Sequence, residues 1–167
     1  MPRPSHRLDL VLVPHDGPIE RGEEALSLLV AHGVIDATGA PGPRAGALGV
    51  GHFARVRLDR PVSDGSPTLY ANRTGGFRVR CPDTGGNLVP AFSRALSERR
   101  AGHGSASLTC PHCGASHPLD RLDFAPPAAF GHWALEVADI ERRPEPGAEA
   151  LRALLQHLGP VTQVLRR

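Results

Sequence analysis

The chain has 167 residues, 40% of them hydrophobic and 4% aromatic, and its 19 basic and 17 acidic side chains leave a formal net charge of +2. That length suits one domain, 1–167, with a core built on Leu, Val and Ala, and the charge is too small to argue by itself for nucleic acid or membrane. With 19 Gly and 17 Pro much of the chain is turn and loop, yet apolar segments recur throughout, which excludes a disordered composition. Every basic residue is Arg, a bias that reads first as a GC-rich genome and second as a choice of planar guanidinium for phosphate or carboxylate.

Met1–Arg7 is followed by a single apolar run, Leu8–Val13, too short for a signal-peptide core. No stretch reaches the roughly 18 apolar residues that a membrane span needs. Three Cys is an odd number and no secretory signal precedes them, so reduced thiols in a cytoplasm are expected.

Leu8–Val13 reads as a buried strand. The turn Pro14–Pro18 leads into a helix over about 19–32, whose face is Leu26, Leu29 and Val30, with acidic residues in its early turns and Gly33 as C-cap. Residues 37–46 are loop by composition. A strand is expected over 52–60, with Ala54, Val56 and Leu58 on one face and Phe53, Arg55, Arg57 and Asp59 on the other. Ser63–Pro67 is a turn, and short strands follow over 68–72 and 77–81. A helix over 90–100 carries Phe92 and Leu96, and a flexible link, 101–105, comes next.

The longest strand candidate is 130–140, with Trp133, Leu135 and Val137 on one face. A Pro-rich turn over 142–147 precedes a helix over about 148–158, striped by Leu151, Leu154, Leu155 and Leu158. Gly159 and Pro160 end it, and 161–165 is a last strand. The outer segments thus read β-α-β twice. This order predicts an α+β, two-layer fold, a ferredoxin-like sheet with two helices, carrying an inserted segment over about 77–118.

The inserted segment holds all the cysteines. Cys110-Pro111-His112-Cys113-Gly114 and Cys81-Pro82-Asp83-Thr84-Gly85 are the same tight turn, each entered from a strand-like run. The second offers two thiolates converging on one point, and the first offers Cys81 with Thr84 in the place of its partner. This pair of turns resembles the zinc-ribbon class over the cysteine segment only, and the resemblance implies a structural zinc site. Cys81, Cys110 and Cys113 are the expected ligands. The fourth is His117 or His103, which flank the second turn, or else a water, as a catalytic zinc would need. His117 is the choice made here; Asp83 and His112 lie inside the turns, where side chains tend to point outward. The alternative without metal is a decayed ribbon whose thiols serve as small core residues.

Cys110-Pro111-His112-Cys113 also resembles the active site of some thioredoxin-fold oxidoreductases. Gly114 and Pro118 argue against the long helix that site requires. The His residues are scattered, and His157 near a helix C-terminus has a dipole role. His132 and Glu136 share a strand face, read as exposed and polar. No nucleophile elbow, phosphate loop or dinucleotide fingerprint is present.

If 52–60 pairs with 77–81, then Arg55, Arg57, Arg78 and Arg80 share one sheet face. Such a basic stripe would hold phosphates or an acidic protein partner. Its plainest reading is a solvated face with pairs such as Arg57–Asp59. The function expected is a non-catalytic cytoplasmic binding or adaptor protein with a structural zinc-ribbon-like site and a protein partner. A nucleic-acid-binding accessory module, or a zinc-dependent hydrolase with an open metal position, are the alternatives.

Overall fold

A computed structural model of the chain describes residues 8–61, 65–72, 74 and 76–167. The reading of Met1–Arg7, and the Ser63–Asp64 part of the expected turn, lie outside them. In chain order the elements are β1 (Leu8–Pro14), α1 (Glu20–Ala31), β2 (Arg55–Asp59), β3 (Thr68–Tyr70), β4 (Arg78–Arg80) and α2 (Val89–Arg100). They continue with β5 (Ser107–Thr109), β6 (Ser116–Pro118), β7 (Asp123–Ala125), β8 (Ala129–Gly131), β9 (Ala134–Ile140), α3 (Glu149–Leu158) and β10 (Val161–Arg166). The fold is therefore mixed α and β, with three helices and several antiparallel sheets among the described residues. No described helix is long and apolar enough to cross a membrane.

The chain divides into two compact units, Met1–Thr74 with Pro127–Arg167, and Gly75–Pro126. The first contains a four-stranded sheet in the order β10-β1-β9-β2, with every neighbouring pair antiparallel. β1 is central, and its run Leu10-Val11-Leu12-Val13 is buried on both faces. Leu10 and Leu12 join Val56, Leu135 and Val137 in the core that also holds Leu29 of α1 and Leu151, Leu154 and Leu158 of α3. Val11, Val13, Ala134 and Val164 lie in a second cluster with Tyr70 of β3. The alternation of a strand explains this split: successive side chains leave on opposite faces.

α1 meets the core through Gly22, Ala25 and Leu29, with Leu26 packed against it as expected, while Val30 of the expected face turns outward. Val30 is 40% exposed. The small residues set this orientation. A Cβ on Gly22 would stand 2.6 Å from Leu58 and 2.7 Å from Trp133, so the helix approaches the sheet where it has no side chain to interpose. α3 follows its leucine stripe, and Gly159 ends it at φ +77°, as expected.

The expected strand over 130–140 is two strands. Phe130 pairs with Leu69 in the small β3–β8 sheet, and β9 begins only at Ala134. Gly131 packs against Val13, where a Cβ would lie 2.6 Å from Cγ1, and the chain changes sheets there. Trp133, Leu135 and Val137 do reach the helix-side core together, and Trp133 Nε1 donates to the Gly17 carbonyl at 3.1 Å. Phe53, expected beside Arg55, is instead fully buried in that core, because it precedes β2 and escapes its alternation.

The second unit is built from β4, α2, β5, β6 and β7. β4 pairs with β7 and β5 with β6, both antiparallel. Pro90 sits in the first turn of α2, where its missing N–H costs nothing, and Phe92 and Ala95 face inward. Phe77, Phe92 and Phe124 pack as a trio with ring centroids 5.5 to 6.0 Å apart. Val79, Leu88, Leu108, Leu119 and Leu122 complete its buried apolar set. The sequence did not announce β7, which lies beyond the expected insertion and brings Phe124 opposite Val79.

Candidate metal centre

The two Cys-Pro turns are closed by the same backbone bonds. Gly85 N–H donates to the Cys81 carbonyl at 2.8 Å and Cys81 N–H to the Gly86 carbonyl at 2.9 Å. In the other turn Gly114 donates to Cys110 at 2.9 Å and Cys110 to Ala115 at 2.8 Å. Gly85 and Gly114 stand at φ +70° and +74°, the left-handed region that a side chain disfavours. β4 delivers Cys81 and β5 delivers Cys110, each one residue past the strand end.

Ligand atoms of Cys81, Cys110, Cys113 and His117 all lie within 4.8 Å of one another. Cys81 Sγ is 3.8 Å from Cys113 Sγ and 3.5 Å from His117 Nε2, and Cys113 Sγ is 3.3 Å from that nitrogen. A tetrahedral ion with metal–sulfur bonds of about 2.3 Å and metal–nitrogen bonds of about 2.0–2.1 Å requires edges of about 3.8 Å between sulfurs and about 3.5 Å from sulfur to nitrogen. The donor set therefore fits a metal ion. All three cysteines are free thiols, with Cys81 and Cys110 buried.

His117 enters from β6, opposite Leu108 of β5, and is only 8% exposed. The second turn and its return strand thus supply three donors and the first turn one. His103, in the turn after α2, is exposed and outside the group. His112 also stays outside it. Its Nε2 lies 3.0 Å from the Asn87 carbonyl and its ring rests on Gly86, where a Cβ would be 2.4 Å away, so it clasps one turn to the other. Asp83 is no ligand, but its carboxylate comes within 3.7 Å of His117 Nε2.

Thr84 has a role that the missing thiolate concealed. Its hydroxyl accepts from the Gly86 N–H at 3.3 Å and is the largest influence favouring the Cys81 thiolate; burial opposes it, and nearby amides reinforce it. Together they bring this thiol from the ordinary 9.0 down to about 6. Cys113 moves the other way. The Ala115 amide favours its thiolate, but desolvation and the neighbouring sulfurs of Cys110 and Cys81 outweigh it and push the thiol up. Crowded thiolates repel one another, and a bound cation removes that repulsion.

The arginines are not brought to one sheet. β2 pairs with β9, and β4 pairs with β7, so the β2–β4 pairing on which a common stripe depended is not formed. Arg55 and Arg57 belong to the first unit; Arg78 and Arg80 are exposed on β4 in the second. Arg57 does not pair with Asp59. Its Nε and Nη2 donate to Glu136 at 3.0 to 3.2 Å, and this carboxylate raises the guanidinium further above its ordinary value.

Glu136 itself overturns the reading of an exposed polar face, for it is only 2% exposed and also receives Arg166 Nη2 at 3.1 Å. His132 is outside β9 and does not share its face. A carboxylate between Leu135 and Val137 in a central strand was the available signal for a paired, buried charge. Comparisons with protein-family models, with curated proteins and with solved structures found no match.

Proposed function

We propose that the chain is a non-catalytic cytoplasmic binding or adaptor protein in which Cys81, Cys110, Cys113 and His117 hold a structural zinc ion. The single observation that carries the reading is the convergence of these four donors within 4.8 Å of one another, with Cys81, Cys113 and His117 at separations close to tetrahedral edges. Three thiolates and an imidazole are a soft donor set that suits zinc. With four protein donors no position is left for a substrate or an activated water, which favours a structural role over a hydrolase. The paired turns support a zinc-ribbon-like unit. The strand order β10-β1-β9-β2, crossed by α1 and α3, supports a ferredoxin-like frame from which that unit is inserted. Free thiols with these shifts belong in a reducing compartment.

Metal analysis of the purified protein tests this directly. About one zinc per chain is expected in the wild type, and Cys81→Ser loses most of it. Equal metal in both proteins refutes Cys81 as a ligand.

One observation favours a nucleic-acid partner as the second reading. Gly75–Pro126 contains six arginines against four acidic residues, so it accounts for the whole net charge of +2. Exposed Arg78 and Arg80 are the candidate phosphate contacts. Salt-dependent affinity for mixed-sequence nucleic acid at low salt, lost in the Arg78→Ala/Arg80→Ala double variant, supports this reading; no affinity at low salt removes it.

A further inference from the structure

The face of the four-stranded sheet that carries Glu136 holds a cavity of about 400 Å³ whose lining includes Arg55, Arg57, Arg166 and Arg167. Register explains the gathering. Arg166 lies opposite Asp9, Glu136 opposite Val11 and Arg57, and Arg55 opposite Ala138, so these side chains form two adjoining rows across the sheet. Between Leu8 and Leu10 the β1–β9 register shifts. Asp139 there takes φ +59°, and its N–H donates to Asp9 Oδ1 at 2.8 Å. Such irregularities re-aim side chains at the rim of a site.

Four guanidinium groups line this cavity against the carboxylates of Asp9, Glu136 and Asp139, a surplus of one positive charge. Both Arg57 and Arg166 bind Glu136. Arg166 has a side chain only 9% exposed, and its Nε–H has no acceptor among the described residues. A buried guanidinium N–H without an acceptor is costly, and it is the kind of group a bound anion satisfies. Arg55, exposed on the same face, makes no side-chain hydrogen bond or ion pair among the described residues.

We propose that this cavity binds a single phosphate group of a small molecule, with Arg55 and Arg166 as its principal contacts. Its volume is in the range of small-ligand sites. The carboxylates of Asp9 and Asp139 on its wall disfavour a run of successive phosphates, so a nucleic-acid backbone does not fit. The proposal is independent of the metal centre, which lies in the other unit.

Calorimetric titration of the full chain tests it, with glycerol 3-phosphate as probe, glycerol as neutral control, a 20-nucleotide single-stranded DNA as competitor class, and ionic strength held constant. Saturable binding of glycerol 3-phosphate but not glycerol is expected. Arg55→Gln weakens it on the order of tenfold, the loss of one charge-assisted contact. Arg55 supports no other side chain, so its variant retains the wild-type unfolding curve and metal content, and a loss of binding reports the site. No saturable binding, equal affinity in Arg55→Gln, or binding of the DNA alone overturns the proposal.

Discussion

Leu10, Leu12, Leu135 and Val137 of the first unit are sealed beneath two helices, with Leu29, Leu151, Leu154 and Leu158 pressed onto them. Gly75–Pro126 has far less to bury. Its strands are three residues long, its apolar set is a phenylalanine trio and a few aliphatic side chains, and two of its buried residues are thiols that belong to the metal group. A segment of roughly 50 residues with so small a core ordinarily needs a staple. The contrast sets a unit that relies on apolar area, where helices cover a sheet, against one whose small core surrounds a Cys/His group able to hold a metal ion.

The strongest way to break this contrast is to remove the metal. Chelation of the full-length protein is expected to collapse protection of the Val79, Leu88 and Leu108 amides in hydrogen exchange. Those of Val11 and Leu135 keep theirs, since binding energy of a structural zinc is folding energy only for the residues it organises. Uniform loss of protection across both units, or none in Gly75–Pro126, would end the comparison.

The converse perturbation is smaller. Leu135→Ala, at a fully buried position in β9, is expected to cost about 2–5 kcal/mol. The chain's one Trp, Trp133, sits in the same core and reports the shift by fluorescence during urea unfolding. Metal content stays at the wild-type value. A variant that sheds metal as well as stability would show that the units are not independent in this sense.

These two regions were also unequally legible in the sequence. Strands such as Leu8–Val13 and the leucine stripe of α3 declare themselves because period and burial coincide there. The face of α1 did not, because its contact runs through Gly22 and Ala25, residues that carry no hydrophobic signal and matter for the space they leave. The break at Gly131 and the capture of Phe53 are tertiary outcomes that no local alternation encodes.

The clustering of Cys81, Cys110 and Cys113 was readable because knuckle closure is local backbone geometry, and His117 joins them from the strand that follows the second turn. Pairing of the arginines was not readable. Strand order is a long-range property: β2 pairs with β9 and β4 with β7, rather than β2 with β4. Glu136 was misjudged for the same reason: its burial comes from Arg166, thirty positions away in sequence.

Within the metal unit, the matched turns allow a finer comparison. Gly114→Ala places a side chain at φ +74° in the turn that supplies two of the ligands, at a cost of about 1–2 kcal/mol. Gly85→Ala does the same at φ +70° in the turn that supplies one. A Cβ at either position meets open space, so the cost is conformational and should be equal in the two variants by thermal unfolding of the metal-bound protein. The difference should appear in metal retention, with Gly114→Ala the weaker binder, because distortion there moves two sulfurs. Equal retention would mean that the turns contribute alike despite their unequal ligand supply.

The smallest effect expected concerns Thr84. In the folded turn the Thr84 hydroxyl, opposed by burial and aided by nearby amides, favours the Cys81 thiolate and brings the thiol down to about 6. A depressed value means that the thiolate's contribution is complete above the ordinary 9.0 and is lost as pH falls through about 6. Thr84→Val keeps the shape and removes the donor, so the thiolate becomes harder to form and the midpoint moves up. Acid release of the metal should begin at a higher pH than in the wild type. A Thr84→Ser control restores the donor and the wild-type profile. If valine leaves the titration unchanged, then Thr84 is only a spacer where a second thiolate once could have stood, and the asymmetry of the two turns is a matter of ligand count alone.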